Sequence, residues 1–264
     1  MRERSVSLRR GAFEIPVLEG GSGDPLLFLH GSWAIEWGPF HDALAQRHRV
    51  IAPILPGFGE SSGAEQLLDI HDLIYCELDL LDALGLTGLP LVGHSLGGMV
   101  AAELAAVQPQ RFTQLVLIGP LGLWNEAHPV PDFFTFAPTA LAGMLYADPD
   151  SPQAQAIAVT PTEDEAMIQF QLERAKSMAA SARFLWPIPN RGLSKRLHRA
   201  TMPTLLIWGE RDGVCPPAYA EDFKALLPNA RVELIPVAAH MPHLEQPEKL
   251  AELIEGFLGA VPSP

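Results

Sequence analysis

The stretch that decides the fold runs from residue 89 to residue 107 and reads LPLVGHSLGGMVAAELAAV. Its first four residues form an apolar run that predicts a buried strand, and Met99 to Val107 has the composition of a helix. Between them, residues 93–98 read GHSLGG with Ser95 near the centre. Glycines beside a serine let the backbone bend sharply, because they carry no side chain that could clash. The stretch therefore predicts a strand, a tight turn around Ser95 and a helix.

Short apolar runs recur along the chain and alternate with stretches of helical periodicity. Runs this apolar are typical of strands in a sheet that is covered on both faces. We predict strands at Phe13 to Glu19, Pro25 to Leu29, Arg49 to Ile54, Leu89 to Val92, Leu115 to Ile118, Thr204 to Trp208 and Arg231 to Ile235. Helical patterns cover Asp69 to Leu84, which stops at Gly85, and Pro247 to Leu258. The alternation predicts an α/β fold with a doubly wound, mostly parallel sheet.

Four arginines among the first ten residues lie on either side of Val6 and Leu8. This alternation predicts an edge strand with outward arginines, which brings the sheet to eight strands. The chain as a whole is acidic, since 18 Lys and Arg against 31 Asp and Glu leave a formal charge of −13. Such a charge repels phosphate backbones and anionic bilayers, so we expect no nucleic-acid partner and no membrane partner.

Residues 121–199 break the alternation of strands and helices. They contain many prolines, one strongly helical piece from Glu163 to Ala182 and no convincing strand. Their aromatic residues offer more apolar surface than a solvated linker carries, so we favour an inserted helical lid over a disordered linker. The 264 residues then divide into an α/β core, residues 1–120 and 200–264, and a lid, residues 121–199.

Targeting and cofactor motifs are not evident in the sequence. No apolar run approaches the ~18 residues of a membrane span, and the N-terminus lacks the apolar run of a signal peptide, so we expect a cytoplasmic protein. Cys76 and Cys215 are the only cysteines, which favours reduced thiols over a disulfide framework. No zinc-binding pattern is present, and a metal site built from His240 and His243 is disfavoured, so we expect no metal and no other cofactor.

The tight turn at Ser95 indicates nucleophilic catalysis. A helix that starts directly after the serine stabilises negative charge that develops beside it. A serine hydroxyl is a poor nucleophile at neutral pH, however, and needs a base to take its proton. That base in turn needs an acid that holds it in one tautomer. The rest of the sequence must supply both.

Two residues that follow the last predicted strands are the candidates. Asp212 comes directly after the strand that ends at Trp208, and His240 lies in the loop after the final strand. Catalytic groups of open α/β sheets gather at the carboxyl ends of strands, so we predict Asp212 as the acid and His240 as the base. The chain order Ser, Asp, His is the one expected for such a fold. Glu210 and His243 are the respective alternatives.

The tetrahedral intermediate of acyl transfer needs backbone N–H donors for its oxyanion. Leu96, the residue after the nucleophile, offers one amide. The second is expected from the loop after the strand Pro25 to Leu29, where His30-Gly31-Ser32-Trp33 lies, and we select the Ser32 amide. The alternative for His30-Gly31 is a simple tight turn.

Five motifs in order carry a family resemblance. They are His30-Gly31, residues 56–61 (PGFGES), the turn at 93–98, Trp208-Gly209-x-x-Asp212 and His240-x-x-His243-x-x-x-Pro247. Together they resemble the α/β-hydrolase superfamily, in particular its lidded esterases, lactonases and carbon-carbon hydrolases. The resemblance covers nearly the whole chain apart from the lid. It implies Ser95 as nucleophile, Asp212 as acid, His240 as base, and the Ser32 and Leu96 amides as oxyanion donors.

Departures from relatives narrow the implied reaction. A serine at position 95, instead of the aspartate of haloalkane and epoxide relatives, disfavours those activities. Ser32-Trp33-Ala34 and Met241 stand where carbon-carbon hydrolases of ring-fission products often have Gly-Pro-Gly and tryptophan. Ile54 stands where relatives often have aspartate, and Ala239 where they often have glycine.

The resemblance therefore implies a serine hydrolase that cleaves a carboxylic ester or a lactone. Carbon-carbon hydrolysis of a diketone is the runner-up. A slow-turnover receptor of the same fold is the alternative from a different class.

The substrate is expected to be a small, mainly apolar molecule, because the lid is rich in aromatic residues. Trp33, Trp124 and Trp186 are the candidate substrate contacts, although the two in the lid could equally form its own core. The sequence leaves the oligomeric state open, and a homo-oligomer is compatible with it.

Overall fold

The computed structural model describes residues 1–32, 37–188 and 190–260. Within these ranges the chain forms one eight-stranded sheet in the order β1-β2-β4-β3-β5-β6-β7-β8. The strands are β1 (Arg2–Leu8), β2 (Phe13–Gly20), β3 (Pro25–Leu29), β4 (Arg49–Pro53), β5 (Leu89–His94), β6 (Phe112–Ile118), β7 (Thr204–Gly209) and β8 (Ala230–Ile235). β2 pairs antiparallel with β1 and β4, and all other pairs are parallel. The predicted α/β class with a mostly parallel, eight-stranded sheet is confirmed.

Nine α-helices connect and cover these strands in the described part of the chain. They are α1 (Pro39–Ala45), α2 (Ile70–Ala83), α3 (Ser95–Val107), α4 (Pro138–Leu145), α5 (Pro152–Ala158), α6 (Asp164–Leu185), α7 (Tyr219–Leu226), α8 (Pro242–Glu245) and α9 (Pro247–Ala260). None of the described helices combines the length and the hydropathy that crossing a bilayer requires.

The central strands are buried along nearly their whole length. Leu26 to Leu29 of β3, Leu115 to Ile118 of β6 and Leu205 to Trp208 of β7 are each at most 1% exposed. Continuous burial means that both faces of the sheet are covered, as in doubly wound folds. The carboxyl ends of the parallel strands are therefore the open edge where a site can form.

The N-terminal strand β1 lies at the edge of the sheet, as predicted. Its arginines do not simply face water, however. Arg2 and Arg4 both donate to the buried carboxylate of Glu19, at 2.5 and 2.7 Å. A carboxylate taken out of water is costly unless it is paired, and two guanidinium groups offset that cost. Arg2 and Arg4 therefore stabilise the edge of the sheet by neutralising the buried Glu19.

Helix α2 shows how the sequence sets its ends. The Asp69 carboxylate accepts hydrogen bonds from the amides of His71 and Asp72, at 2.8 and 3.1 Å, and so caps the N-terminus. Gly85 follows the helix with φ +65°, a left-handed conformation that glycine adopts without strain. The predicted helix and its predicted stop are both present.

Between β6 and β7 the described residues form α4, α5, α6 and short 3₁₀ turns, without a strand. We call residues 121–199 the cap segment. The predicted helix from Glu163 to Ala182 is observed as α6, which continues to Leu185. One described contact to the core is the Arg183 guanidinium, which donates to the Leu67 carbonyl at 2.7 Å. Whether the cap segment acts as a lid stays a prediction.

Candidate active site

The turn from β5 into α3 holds Ser95 in a conformation that few side chains adopt. Its φ is +55°, in the left-handed region. The flanking glycines make this turn sterically feasible. A Cβ on Gly93 would collide with the Gly97 carbonyl, and a Cβ on Gly97 would collide with the carbonyls of Leu29 and His30. The strand, the helix and β3 therefore approach too closely for any other residue at these two positions.

The side chains of Ser95, His240 and Asp212 form a continuous hydrogen-bonded row. The Ser95 Oγ lies 2.8 Å from His240 Nε2, and His240 Nδ1 lies 2.8 Å from Asp212 Oδ2. All three residues are at most 5% exposed. Because a carboxylate only accepts, Nδ1 carries the imidazole proton and Nε2 is left to accept from the serine hydroxyl. This arrangement fits the removal of the serine proton by His240.

The loop after β7 holds the Asp212 carboxylate in place. Its second oxygen, Oδ1, accepts hydrogen bonds from the amides of Val214 and Cys215, at 2.9 and 2.8 Å. Oδ2 is thereby directed to His240. Glu210, the alternative acid, is exposed, and the oxygen that reaches His240 belongs to Asp212.

A second histidine contacts the loop of His240, the predicted base. His94 Nε2–H donates to the His240 carbonyl at 2.7 Å, and the His94 ring packs 4.6 Å from the His243 ring. Burial, followed by the neighbouring His243 and His240, lowers the pKa of His94 well below its usual range. His243 itself contacts His94, whereas His240 reaches Ser95. The sequence had singled out neither His94 nor its contact, since position 94 varies freely in a G-x-S-x-G pattern.

The predicted oxyanion donors lie on the two segments that meet at Ser95. Leu96 is in the first turn of α3, where backbone amides have no partner within the helix. On the other side, a Cβ on Gly31 would lie 3.1 Å from the Ser95 Cβ, so the backbone before Ser32 passes directly beside Ser95. The Ser181 hydroxyl of α6 lies 3.2 Å from the Ser32 carbonyl and 2.7 Å from the Ser177 carbonyl, which share its one proton.

A cavity of about 640 Å³ lies between the core and the cap segment. Its core wall includes Gly31 and His94, which flank Ser95, and its cap wall includes Phe170 and Arg174 of α6. Three further imidazoles, those of His30, His41 and His243, also line it. Burial lowers the pKa values of His41 and His243 to about 4 and about 3, so both are neutral at pH 7. The wall therefore combines apolar surface with neutral hydrogen-bonding groups and with two charged side chains of opposite sign, Glu173 and Arg174.

Two of the predicted substrate contacts lie away from the residues that line this cavity. Trp124 is part-buried, and its indole N–H donates to Glu126 at 2.8 Å. Trp186 is 51% exposed and packs edge-on against Phe134. Trp33, the third, lies outside the described residues. In the cavity wall Phe170 is the aromatic residue that α6 contributes. Among the described residues, no group of three or more His, Cys, Asp and Glu side chains is arranged to hold a metal ion.

Comparisons with known proteins agree with the fold. The family model of the alpha/beta hydrolase fold matches residues 24–247. A dihydrolipoyllysine-residue acetyltransferase component of an acetoin cleaving system from Pseudomonas putida is 33% identical over 91% of this chain, which spans 65% of that relative's length. A 2-hydroxy-6-oxo-6-phenylhexa-2,4-dienoate hydrolase from Burkholderia cepacia is 27% identical over 93% of this chain and 91% of its own length.

Solved structures show the same similarity. The crystal structure of a membrane phospholipase A superimposes with a TM-score of 0.81 and 27% identity, over 98% of this chain and 86% of that one. The matched range of the family model also includes Ser95, Asp212 and His240. This chain therefore belongs to the α/β-hydrolase family.

Proposed function

We propose that this member of the hydrolase family cleaves a carboxylic ester or a lactone through an acyl-enzyme intermediate. The observation that carries the proposal is the row from Ser95 through His240 to Asp212, with both hydrogen bonds at 2.8 Å. The expected substrate is a small molecule held between the core and the cap segment. The mixed character of the cavity wall allows oxygen-bearing acyl groups as well as purely apolar ones.

The reaction follows from the placement of the three side chains. Ser95 Oγ attacks the substrate carbonyl carbon while its proton passes to His240 Nε2. The carbonyl oxygen becomes an oxyanion, for which the Leu96 and Ser32 amides are the proposed donors. Collapse of this intermediate breaks the bond to the leaving oxygen, which takes the proton from His240. Water then attacks the acyl group by the same steps and releases the acid.

Hydrolysis of a carbon-carbon bond is the second candidate, and one observation favours it. Arg174 places a guanidinium in the cavity wall, where it could pair with the carboxylate of a dienoate. The Burkholderia cepacia relative is named for such a substrate. Against this, Glu173 lies next to Arg174 in the same wall and opposes an anion.

A substrate panel separates these functions. Wild type and Ser95→Ala are assayed with p-nitrophenyl esters from acetyl to hexanoyl, with lactones and with a vinylogous diketone that bears a carboxylate. We expect Ser95→Ala to lower kcat for the preferred substrate by a factor on the order of 10⁴ and to abolish labelling by a fluorophosphonate. Labelling that persists in the variant would show that another residue is the nucleophile.

Two further outcomes have a defined meaning. Sustained turnover of the diketone, at a kcat/KM above that of every ester and lactone, would show that the protein is a carbon-carbon hydrolase and would contradict the proposed ester hydrolysis. In that case Arg174→Met should reduce turnover of the diketone and leave the p-nitrophenyl esters unaffected. One burst of product per chain, followed by almost no turnover, would instead favour the receptor.

A further inference from the structure

The short stretch that leaves α4 runs between the two loops that carry the acid and the base. The Met144 carbonyl accepts from the Gly213 amide at 3.2 Å, and the Leu145 carbonyl accepts from the Met241 amide at 3.2 Å. Gly213 directly follows Asp212, and Met241 directly follows His240. We call residues 144–147 the bridging segment. It connects the cap segment to both strand-end loops by backbone hydrogen bonds.

One side chain extends this connection. Glu245, in α8, accepts from the Ala147 amide through Oε1 at 2.7 Å and from the Ala239 amide through Oε2 at 2.7 Å. Ala147 ends the bridging segment, and Ala239 is the residue immediately before His240. A single carboxylate therefore holds both the end of the bridging segment and the start of the loop that carries His240.

The chemistry of this contact requires a carboxylate. An ionised carboxyl accepts at both oxygens, whereas an amide side chain has only one acceptor oxygen. Burial raises the pKa of Glu245, and the hydrogen bonds from Ala147 and Ala239 act in the opposite direction. Within the described residues Glu245 forms no ion pair, so backbone amides, rather than a cation, compensate its partial burial.

We propose that Glu245 is a positioning residue that ties the placement of His240 to the docked position of the bridging segment. The proposal rests on the proposed function, because it takes His240 as the base. If the bridging segment moves away, the Glu245 carboxylate loses the Ala147 amide that fixes its position, its bond to the Ala239 amide weakens, and the loop that carries His240 loosens. The His240 Nε2 to Ser95 Oγ contact at 2.8 Å is then no longer maintained. The cap segment thus acts on the proton transfer as well as on the shape of the cavity.

The consequence is a loss in kcat rather than in KM. Glu245 is not itself among the residues that line the cavity, so its replacement removes no direct substrate contact. Misplacement of a reacting group by about 1 Å costs on the order of 100-fold in rate. We expect Glu245→Gln, which retains one acceptor, to lower kcat and the rate of fluorophosphonate labelling roughly 10-fold to 100-fold, with KM nearly unchanged.

The matched control is Arg183→Met. It removes another hydrogen bond between the cap segment and the core, from Arg183 to the Leu67 carbonyl, which involves neither the bridging segment nor the loop of His240. We expect this variant to keep kcat and the labelling rate. Both variants are assayed well below their thermal midpoints, so that a general loss of stability does not enter the rates.

The outcomes separate this inference from the proposed function. Wild type that is not labelled by the fluorophosphonate contradicts the proposed function. Wild type that is labelled, with Glu245→Gln labelled equally fast at an equal kcat, overturns the role of Glu245 alone. If Glu245→Gln does not fold, hydrogen exchange on wild type decides: the Ala147 and Ala239 amides should open at rates within about twofold of each other if one carboxylate holds both. Opening rates of the Ala147 and Ala239 amides that differ by clearly more than this factor overturn the proposal.

Discussion

The turn around Ser95, residues 93–98, and the helix α6 face the same cavity but differ in how tightly they are packed. At the turn, contacts leave the backbone no freedom, since neither Gly93 nor Gly97 can accept a Cβ. Helix α6 is packed only over its second half. Ile168 and Leu172, in its first half, are 64% and 46% exposed, whereas Phe184 near its end is buried.

This difference separates two tasks. Close packing holds reacting atoms within a fraction of an ångström, which catalysis requires. A helix anchored at one end can change its contacts without unfolding the sheet, which suits the selection of a substrate. We therefore expect substitutions in the strand-end loops to change the catalytic rate, and substitutions in α6 to change which substrate is preferred.

The largest effect is expected at Asp212. Asp212→Asn keeps the size of the side chain but removes the charge that holds the proton on His240 Nδ1, so kcat should fall by a factor on the order of 10⁴. Glu210→Gln is the control, because Glu210 is exposed two residues away. Both variants are compared by kcat/KM on the preferred ester. A loss in Glu210→Gln that matches the loss in Asp212→Asn would reassign the acid.

A smaller effect is expected at the end of β6, where Gly119 has φ +47°. A Cβ at this position would lie 3.0 Å from Asp212 Oδ2 and 3.5 Å from His240 Nδ1. Gly119→Ala should therefore displace the acid from the base and lower kcat roughly 10-fold to 100-fold. It should also cost about 1 kcal/mol of unfolding free energy, because alanine is strained in the left-handed region.

Gly143→Ala provides the matched control in the cap segment. Gly143 is exposed in α4, and a Cβ there meets nothing within 4 Å. We expect unchanged kcat and a gain in unfolding free energy of up to about 1 kcal/mol, because alanine favours the helix. Equal activity in both glycine variants would remove the proposed difference between the two regions.

One buried group of the core should make the free energy of unfolding depend on pH. Glu77 in α2 is 1% exposed, and its Oε1 has no hydrogen-bond partner. Burial raises its pKa from 4.5 to about 8, so between these values the folded protein holds a proton that the unfolded chain releases. Stability from this group is full below pH 4.5 and falls as the pH rises to about 8.

Glu77→Gln is therefore expected to flatten the pH dependence of the thermal midpoint. Wild type should lose more stability than the variant between pH 5 and pH 9, while kcat at pH 7 stays the same in both. Thermal unfolding followed by circular dichroism at these two values measures the difference. Parallel curves for the two proteins would show that Glu77 does not titrate in this range.

The smallest effect is expected within the cap segment, and it concerns selectivity. Phe170 lines the cavity, whereas Trp186 is half exposed and packs on Phe134. Phe170→Ala should shift the preferred acyl length by one or two methylenes, each worth about 0.8 kcal/mol, and Trp186→Ala should leave the profile unchanged. The measurement is kcat/KM from acetyl to hexanoyl esters. A shift in Trp186→Ala alone would support the substrate contact predicted for Trp186 from the sequence.

Several elements follow from short-range patterns. The strand Pro25–Leu29 was predicted to the residue because a short apolar run has few other solutions. Helix α3 begins at Ser95 rather than at Met99, because the strand passes into the helix without a connecting loop. The short helices α1 and α7 were not predicted, since a run of seven or eight residues is shorter than the window over which a helical pattern can be distinguished.

By itself, the sequence determined the order of the strands and of the four longest helices, the glycine turn around Ser95 and the positions of Asp212 and His240 at strand ends, because each depends on neighbouring residues. The tertiary structure alone decided which distant groups meet. The bond from His94 to the His240 carbonyl spans 146 positions, and the bond from the Ala147 amide to Glu245 spans 98. Such contacts leave no periodic trace in the chain, since they form only when the sheet brings separate loops to one edge.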